Sequence, residues 1–549
     1  MRIKRIQAQN FTRLADLDLN VRGHLVLIGA NDVGKTSLLH LLNLTLGPTA
    51  QLYQMLSVAD LRDNERSLGV TVHFEDFNDS DRGIFTREID VDSITKVESL
   101  EIKLEVSVDP EDLESVVIQR WAPGRGEVRN LSREQLSALG WRYLPALRQT
   151  SAAHFDGASG AIRTLLRAVE PELGDEKKAM GGLLDDFNAK LASSETLTAL
   201  RDGMAEHLSN SMPRVIGAGD LAVRTSADPA DSVLENVSMF MARNGAFVPL
   251  SEQSDGVRQL VSMTLFDLAE GGANVIAIDE PELHLHPSSQ RTVAELLTRE
   301  TNQKILVTHS PYVVQKFDPT QVVTVRGNGE FRQIDPNVLT IEERLQAHWW
   351  SPRMLETLTA RFAIVVEGIA DRLIVEGAAQ ARGISLDRLG AVVFELDGAD
   401  KFPAVYKLIG PQAFDVEVLG LVDKAEQGSW LGAVKGKQKN VLGHIIFVSE
   451  TDLEDEYCRA FGPRAMAARL IASGVARDMR ALTSACGVDS EEELNVEGLA
   501  KFCRTTPKNG GNRKVPSALA VTKGLTKAEA AEIVSVAALL DELERRSAL

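Results

Sequence analysis

Cysteine and long apolar runs are both scarce in this chain. The three cysteines, Cys458, Cys486 and Cys503, are widely spaced and form neither a metal-type pair nor an even set for disulfides. That usage is typical of a reducing compartment. No apolar run approaches the length of a membrane span, and residues 1–6 lead into a strand pattern instead of a signal peptide. We therefore expect a cytoplasmic protein with no membrane partner.

Positive charge is also in deficit. Lys and Arg together number 60 against 78 Asp and Glu, a net charge of −18. This balance argues against a protein that coats nucleic acid with its whole surface, although a local basic groove remains compatible with it. Apolar residues make up 44% of the chain and charged residues 25%, the proportions of a globular protein. Because 549 residues exceed what one core holds, we expect two or three domains.

A phosphate-binding loop is the clearest feature that is present. Residues 29–36 read GANDVGKT and match GxxxxGK[ST], with an apolar strand before them and a helix after them. Loop N–H groups point at phosphate, Lys35 adds charge near the β- and γ-phosphates, and Thr36 offers a hydroxyl to Mg²⁺. The alternative is a glycine-containing turn that merely fits the pattern. The predicted ATP-binding residues of this segment are Gly29, Asn31, Gly34, Lys35, Thr36 and Ser37.

Two later strands supply the rest of a nucleotide site. Residues 275–278 are an apolar run that ends in Asp279 and Glu280. An aspartate at such a strand end can hold the Mg²⁺ water shell, and the following glutamate can activate the attacking water. The strand at 304–307 leads to His309, which we expect to sense the γ-phosphate. The alternative for Asp279 is a plain strand cap.

Histidines near these strands allow a competing interpretation. His284 and His286 could form a metal site with His309. Their spacing matches no ligand set of a known kind, so the nucleotide site is the preferred hypothesis.

The rest of the N-terminal half divides by its apolar pattern. Alternation predicts strands in residues 1–30, 69–74, 99–106 and 115–118, a β-rich lobe around the phosphate loop. Apolar residues at helical spacing follow from 151 to 210, which predicts a helical insertion. The predicted domain boundaries are 1–150 and 216–340 for the two parts of the nucleotide-binding domain, 151–215 for the insertion and 341–549 for a separate C-terminal domain.

The C-terminal domain carries a second cluster of acidic residues. We predict strands at 362–366, 391–396, 416–422 and 444–448, helices at 370–381 and 401–409, and longer helices at 455–485 and 526–546. Parallel strands place their C-terminal ends at one edge of a sheet, where open α/β folds put their sites. The acidic residues at or after these strand ends are Glu367, Asp371, Asp423, Asp452 and Glu454.

Acidic side chains that converge repel one another unless a hard cation neutralises them, and Mg²⁺ or Mn²⁺ is the natural one. Two such ions can stabilise the attacking and leaving oxygens in phosphodiester cleavage. Taken singly, each carboxylate could instead be a solvated cap or a charge at a helix N-terminus. The cluster therefore predicts a divalent-metal site, with Thr36 and Asp279 as further metal ligands in the nucleotide site.

The first half resembles an ABC-type ATPase head of the RecF/SMC kind. The resemblance rests on the Asn31 form of the loop, residues 278–287 (IDEPELHLHP) and residues 308–311 (THSP). Such heads hold two ATP molecules between two subunits. The matching signature, residues 250–258 (LSEQSDGVR), is divergent, and the resemblance implies that its Ser254 and Gly256 reach the γ-phosphate bound by the partner subunit. A serine N-cap with an ordinary turn is the alternative.

The second half resembles a Toprim domain, most distinctly at residues 449–455 (SETDLED). An ABC head followed by Toprim is similar to the OLD (overcoming lysogenization defect) family of nucleases, which includes the Gabija nuclease. The chain departs from the family at Asp423-Lys424-Ala425-Glu426, where Toprim domains usually have Asp-x-Asp. Glu426 would have to replace the second aspartate as a metal ligand, which puts the second metal position in question. The family's late lysine is assigned to Lys514, with Lys508 or a plain surface lysine as alternatives.

The resemblance implies an α/β protein that binds ATP and two divalent ions, Mg²⁺ or Mn²⁺, and cuts or nicks DNA. Glu280, Glu367 and Lys514 are the expected catalytic residues. The helical insertion would form a homodimer or higher oligomer, a UvrD-like helicase is a candidate partner, and the role would lie in phage defence or DNA processing. A basic loop with Lys435, Lys437 and Lys439 either contacts DNA or is solvated.

Two rival functions remain. One is an SMC/RecF-like, ATP-driven DNA repair protein whose Toprim domain binds DNA without cleaving it, and the missing second aspartate favours it. The other is a primase- or topoisomerase-like enzyme. It is disfavoured because no catalytic tyrosine accompanies Glu367 and no primase zinc motif is present.

Overall fold

The computed structural model describes residues 1–49, 52, 55–124, 130–146, 173–211, 233–234, 237, 240–243, 246–254, 256–258, 274–298, 302–327, 329–347, 349, 351–434, 441–506 and 511–548. Several predicted features lie outside these residues, namely Asp255 of the signature, Lys435, Lys437 and Lys439 of the basic loop, Lys508, and residues 151–172 and 212–215 of the insertion. The chain forms two compact units, one of Met1–Leu136 with Gln303–Leu549 and one of Ser137–Asn302.

The strands are β1 (Arg2–Gln9), β2 (Leu17–Asn20), β3 (Leu25–Gly29), β4 (Leu68–Glu75), β5 (Asp90–Val91), β6 (Glu98–Val108), β7 (Val116–Trp121), β8 (Trp141–Leu144), β9 (Phe240–Arg243), β10 (Ala246–Pro249), β11 (Val275–Asp279), β12 (Gln303–Val307), β13 (Val322–Val325), β14 (Phe331–Gln333), β15 (Phe362–Val366), β16 (Ala391–Glu395), β17 (Glu417–Asp423) and β18 (Ile446–Ser449).

The helices are α1 (Lys35–Leu46), α2 (Asp79–Ile84), α3 (Arg133–Ala138), α4 (Asp175–Ser193), α5 (Glu195–Ser211), α6 (Pro287–Leu297), α7 (Pro311–Val314), α8 (Ile341–Gln346), α9 (Pro352–Thr359), α10 (Ile369–Arg382), α11 (Leu386–Leu389), α12 (Phe402–Ile409), α13 (Gln427–Val434), α14 (Leu453–Phe461), α15 (Pro463–Ala472), α16 (Met479–Cys486), α17 (Val496–Arg504), α18 (Lys514–Thr522), α19 (Lys527–Glu532) and α20 (Val534–Ser547).

The N-terminal lobe is an antiparallel sheet in the order β2-β1-β4-β6-β5, with β7 also paired to β6. Alternate residues of β4 are buried, from Leu68 to Phe74, while those between them are partly exposed. This period of two is the pattern that the sequence shows there, because successive side chains of a strand point to opposite faces. The predicted β-rich lobe is confirmed.

A second sheet of the same unit carries the phosphate loop. Strand β3 lies between β12 and β13 and runs parallel to both, and every residue of these three strands is buried. Burial on both faces explains why these stretches read as unbroken apolar runs. Strand β14 pairs with β13 antiparallel, and Gly329 N donates a hydrogen bond of 2.9 Å to Arg326 O between the two strands.

The unit Ser137–Asn302 contains its own parallel pair, in which Tyr143 of β8 stands opposite Ala277 of β11. Strand β8 is not predicted from the sequence, because four residues with no apolar alternation leave little periodic signal. Helices α4 and α5 confirm the helical prediction for the described part of the insertion. Their apolar residues Leu183, Phe187 and Leu200 are exposed in this chain.

The C-terminal domain is built on the parallel strands β16-β15-β17-β18, in that order. All four predicted strands are confirmed, with small shifts at their ends. Helices cover the sheet, and a core that includes Phe362, Tyr457 and Leu499 joins it to α10, α14 and α17. This arrangement places the ends of β15, β17 and β18 at one edge of the sheet, as parallel strands require.

The prediction of one continuous helix from 455 to 485 is wrong. Helix α14 ends at Phe461, and α15 ends before a turn at Gly474. Gly462 and Gly474 have φ angles of 73° and 74°, a left-handed conformation that stops a helix and that glycine adopts without strain. The predicted helix 526–546 is likewise two helices, α19 and α20, which meet at Ile533.

Among the described residues, no helix combines the length and the apolar character that crossing a membrane would need.

Candidate functional site

The phosphate loop has the backbone that its sequence requires. Gly34, at the N-cap of α1, has a φ of 99°, and a Cβ there would lie 2.7 Å from the carbonyl oxygen of Arg13. Only glycine fits this position. Lys35, the first residue of α1, is buried, and its Nζ donates hydrogen bonds of 3.1 Å to Gly29 O and 2.5 Å to Ala30 O. Because it begins the helix, Lys35 lies where backbone N–H groups also converge.

His309 is brought to the same sheet edge as the phosphate loop. Strand β12 pairs with β3, and the backbone N–H of Thr308 donates to Leu27 O at 3.1 Å. Thr308 and Ser310 are buried, whereas His309 between them is exposed. Ser310 Oγ caps the short helix α7 by accepting from Val313 N at 3.3 Å. The structure therefore brings the predicted phosphate loop and His309, the residue predicted to sense the γ-phosphate, to the same edge of the sheet.

Asp279 and Glu280 end β11 in the other unit. Asp279 is buried, and its charge, together with burial as the larger cause, raises the pKa of Tyr143 on the neighbouring strand β8. Glu280 has a φ of 47°, an uncommon conformation for a residue with a side chain. Uncommon backbone conformations of this kind occur at functional sites more often than elsewhere. The φ angle of Glu280 is consistent with its predicted role in water activation.

The signature residues lie at the start of a helical turn in this unit. The backbone oxygen of Ser254 accepts from Arg258 N at 2.9 Å. A Cβ at Gly256 would come within 3.1 Å of His284 O, so this glycine allows a close approach of two backbone segments. His286 is occupied as a helix cap, because its Nδ1 accepts from Ser288 N at 3.3 Å. That contact weighs against the alternative metal site.

The acidic residues of the C-terminal domain meet at the edge of the four-stranded sheet. Glu367 follows β15, Asp423 ends β17, and Glu454 lies in the first turn of α14 after β18. Glu367 Oε1 accepts a hydrogen bond of 3.0 Å from the backbone N–H of Asp423. Asp371 Oδ2 accepts one of 2.9 Å from Gly368 N at the start of α10. Neighbouring strand ends thus hold the predicted carboxylates in place.

Burial and mutual repulsion raise the pKa values of these groups. The pKa of Asp423 is raised to about 7, chiefly by burial and then by the charges of Glu367, Asp371 and Glu454, while Lys514 opposes the shift. Burial is also the main cause that raises the pKa of Glu367, of Asp371 and of Glu454. Perturbed carboxylates that face one another are typical of functional sites.

Lys514 is the cation of this cluster. It begins α18, and its Nζ lies 3.6 Å from Glu454 Oε1. Burial would lower the pKa of Lys514, but the charges of Glu454, Asp371, Asp423 and Glu367 outweigh it and raise the pKa. One ammonium group therefore faces four carboxyl groups, which leaves an excess of negative charge at this edge.

Two predicted ligands have other surroundings. Asp452 Oδ1 caps α14 by accepting from Asp455 N at 2.8 Å, and its Oδ2 pairs with Arg504. Glu426 is exposed, yet its charge contributes to the raised pKa of Glu367, so it lies at the rim of the cluster. The role of Arg504 is not predicted from the sequence, since nothing in a single sequence links an arginine to an aspartate 52 positions away.

The donor set suits a hard divalent cation, because carboxylate oxygens are the ligands that Mg²⁺ and Mn²⁺ prefer. In the part of the chain that the structure describes, however, no three His, Cys, Asp or Glu side chains are close enough together to hold one ion. The carboxylates of the described residues thus lie at one edge of the sheet without forming a three-ligand cluster.

Two family models match separate parts of the chain. Residues 25–315, more than half of the chain, match the family model described as "AAA domain, putative AbiEii toxin, Type IV TA system". Residues 358–424 match "Overcoming lysogenization defect protein-like, TOPRIM domain". The second match includes Glu367, Asp371 and Asp423 of the acidic edge.

Two relatives are distant in sequence but cover most of the chain, and a solved structure matches its C-terminal third. An OLD nuclease of Thermus scotoductus is 24% identical over 409 residues, which are 68% of this chain and 72% of the relative. Endonuclease GajA of Bacillus cereus is 18% identical over 417 residues, 68% of this chain and 67% of the relative. The C-terminal region of the Burkholderia pseudomallei OLD protein is 24% identical, covers 34% of this chain and 98% of its own, and superimposes with a TM-score of 0.28.

Proposed function

The chain belongs to the OLD family, with an AAA-type ATPase domain followed by an OLD-like TOPRIM domain, and from this premise we propose that it is a DNA endonuclease that binds and hydrolyses ATP. DNA nicking or cleavage would depend on Mg²⁺ or Mn²⁺. The observation that carries the proposal is the convergence of Glu367, Asp371, Asp423 and Glu454 at one sheet edge beside Lys514.

In this proposal Glu367, Asp371, Asp423 and Glu454 supply the oxygen ligands of the cation, and Glu426 extends the set at the rim. When bound, the cation would stabilise the attacking and leaving oxygens of a phosphodiester. The hydrogen bond from Asp423 N fixes the direction of the Glu367 carboxylate. Lys514 is placed to share the charge of the scissile phosphate, because its ammonium group already lies among the same carboxylates.

Asp452 supports the site in a different way. Its side chain caps α14 and holds Arg504, so it positions the helix that carries Glu454. Should Asp452 also bind a metal ion, its pairing with Arg504 would have to open.

ATP binding is assigned to the loop residues Gly29, Asn31, Gly34, Lys35, Thr36 and Ser37. Thr36 and Asp279 would hold Mg²⁺, Glu280 would activate water and His309 would sense the γ-phosphate. We further propose that Ser254 and Gly256 act on nucleotide bound by a second copy of the chain.

The remaining assignments follow the predicted domain boundaries, with the ATPase head at 1–150 and 216–340, the insertion at 151–215 and the TOPRIM domain at 341–549. The exposed Leu183, Phe187 and Leu200 of α4 and α5 support dimerisation through the insertion, because apolar side chains on a helix surface favour a partner. A role in phage defence and pairing with a UvrD-like helicase complete the proposal.

A second candidate function is DNA binding without cleavage in an ATP-driven repair protein. It is favoured by Glu426, which stands in place of the usual second aspartate and is exposed. It is also favoured by the separation of the carboxylates in the described residues.

A plasmid assay distinguishes the two functions. The purified chain is incubated with supercoiled DNA and Mg²⁺, Mn²⁺ or EDTA, with and without ATP. We expect open-circular DNA with a divalent cation and none with EDTA. Binding of DNA without any nicking by either metal would support the second function and contradict the first.

A further inference from the structure

Helix α9 lies between the phosphate-loop sheet and the TOPRIM sheet, which belong to the same compact unit. It packs against α7 and β3 on one side and against β16 on the other. Where it faces the head, a cavity of about 160 Å³ is lined by Thr308, His309 and Pro311 together with Leu355, Glu356 and Thr359 of the helix. The proposed γ-phosphate sensor His309 therefore faces α9 across an unfilled space.

Arg326 fastens the C-terminal end of α9 to the head. Its guanidinium donates hydrogen bonds of 3.4 Å to Leu358 O and 3.0 Å to Ala360 O, and it also donates to Phe414 O of the TOPRIM domain. The last carbonyls of a helix have no partner within the helix and carry partial negative charge, so a cation there is favourable. One side chain thus joins the head, the end of α9 and the segment before β17.

Arg326 is also a direct neighbour of the phosphate loop in the sheet. It follows Val325, which stands opposite Gly29 in the pairing of β13 with β3. The approach is close, because a Cβ built on Gly29 would lie 2.4 Å from Val325 O. A change in the backbone of the loop would therefore displace β13, the strand that Arg326 follows.

The first turn of α9 is fastened to the acidic edge. Arg353 pairs with Glu395 at the end of β16, and the same carboxylate lies 3.3 Å from Arg372 Nη1. Arg372 adjoins Asp371 in α10 and also pairs with Glu376 at 2.6 Å. Contacts therefore run from the strand beside Gly29, through Arg326 and α9, to the helix that carries a proposed metal ligand, and His309 faces the same helix across the cavity.

We propose that α9 couples the nucleotide state of the head to the acidic edge of the TOPRIM domain, with Arg326 as the residue that holds the helix. This inference rests on the proposed endonuclease function and adds its regulation. Contact of the γ-phosphate with His309 moves the wall of the 160 Å³ cavity toward or away from α9. The cavity leaves room for this movement without repacking of the core. The ion pairs that join Arg353 to Glu395, and Glu395 to Arg372, transmit the movement to α10.

The experiment compares plasmid nicking by the full chain with and without a non-hydrolysable ATP analogue. For the wild type we expect the analogue to change the nicking rate by about 5- to 150-fold, the usual range of allosteric coupling. Arg326→Gln removes the guanidinium group that donates hydrogen bonds to the C-terminal end of α9. In that variant the rate with analogue should fall within about twofold of the rate without it, while nicking without nucleotide and affinity for a fluorescent ATP analogue are retained.

Two control variants separate this coupling from a general loosening. Arg22 has the same chemistry inside the head, where it donates to Thr320 O at 3.3 Å and to Ile334 O. Lys407 of α12 pairs with Glu343 of α8 at 2.8 Å. Arg22→Gln and Lys407→Gln should keep the wild-type response to the analogue.

The outcomes are distinguishable. A response of Arg326→Gln equal to that of the wild type would overturn the coupling, as would a wild type that nicks at the same rate with and without analogue. Absence of nicking by the wild type with either metal would overturn the endonuclease function itself. If Arg326→Gln does not fold, as judged by its melting curve, Arg353→Gln decides in its place, since the Arg353 side chain is 44% exposed and Glu395 keeps Arg372 as a partner.

Discussion

The carboxylate of Glu367 is held 3.0 Å from the backbone N–H of Asp423, across two neighbouring parallel strands. The same contact brings the Asp423 carboxyl group close enough for Glu367 to raise its pKa. Two carboxyl groups that are both negatively charged when ionised are thus fixed side by side at a buried sheet edge. Such an arrangement costs stability unless a cation is bound, and this cost makes the pair a sensitive probe of the site.

Asp423→Asn should stabilise the metal-free protein at alkaline pH. In the folded chain the pKa of Asp423 is raised to about 7 from 3.8, so its contribution to stability is largest below 3.8 and is lost as the pH rises through 7. Removing the charge should raise the free energy of unfolding at pH 8 by about 1–2 kcal/mol. Urea unfolding in EDTA at pH 8 and pH 4 checks this. An equal difference at the two pH values would contradict it.

Glu367→Gln should abolish metal-dependent nicking and leave ATP hydrolysis unchanged. The variant keeps the shape of the side chain but removes a charge that the cation needs, so we expect nicking to fall by about 100-fold or more. Glu544→Gln is the matched control, because this glutamate lies in α20 and is paired with Arg382 at 3.4 Å. Equal nicking by Glu367→Gln and the wild type would remove the site assignment.

Lys35→Ala should weaken ATP binding. The ammonium group is held at the loop by Gly29 O and Ala30 O, and its loss removes a charge-assisted hydrogen bond to phosphate, which corresponds to about 10- to 100-fold in affinity. Titration with a fluorescent nucleotide measures the change. Lys4→Ala is the control, since Lys4 pairs with Asp76 at 2.9 Å in the antiparallel lobe. ATP turnover that persists in Lys35→Ala would contradict the assignment of the head.

Glu542→Gln should destabilise the TOPRIM domain at neutral pH. Hydrogen bonds from Arg545 at 2.7 Å, and then from Arg546 and His444, lower the pKa of Glu542 to about 2. A depressed pKa stabilises the fold above the unfolded value of 4.5, and that contribution is lost as the pH falls toward 2.

We expect a loss of about 1–2 kcal/mol for Glu542→Gln at pH 7, discounted for the solvent around the arginines. The difference from the wild type should shrink between pH 4.5 and pH 2 in denaturant titrations. Asp541→Asn, at an exposed position next to it, should change stability little. A difference that does not depend on pH would show that the ion pairs are not its cause.

Local patterns in the sequence determined the elements that carry the chemistry. The phosphate loop, the buried strands β3, β11, β12 and β15, and the acidic residues at strand ends were all predicted, because a strand buried on both faces must be apolar from end to end. The α/β class follows from the same signal. Errors occurred where glycine ended a helix, as at Gly462, since a helical apolar period continues through such a break and only the backbone angle reveals it.

Only the tertiary structure decided which of these residues meet. It joins Glu367 to Asp423 by a hydrogen bond. It also pairs Lys514 with Glu454 and Arg504 with Asp452. It also joined Arg326 to the end of α9 and to Phe414, 88 positions away. Contacts of this kind arise when strands and helices from distant parts of the chain pack together. Sequence periodicity indicates the environment of each residue but not the identity of its partner. These contacts therefore could not be predicted from the sequence pattern alone.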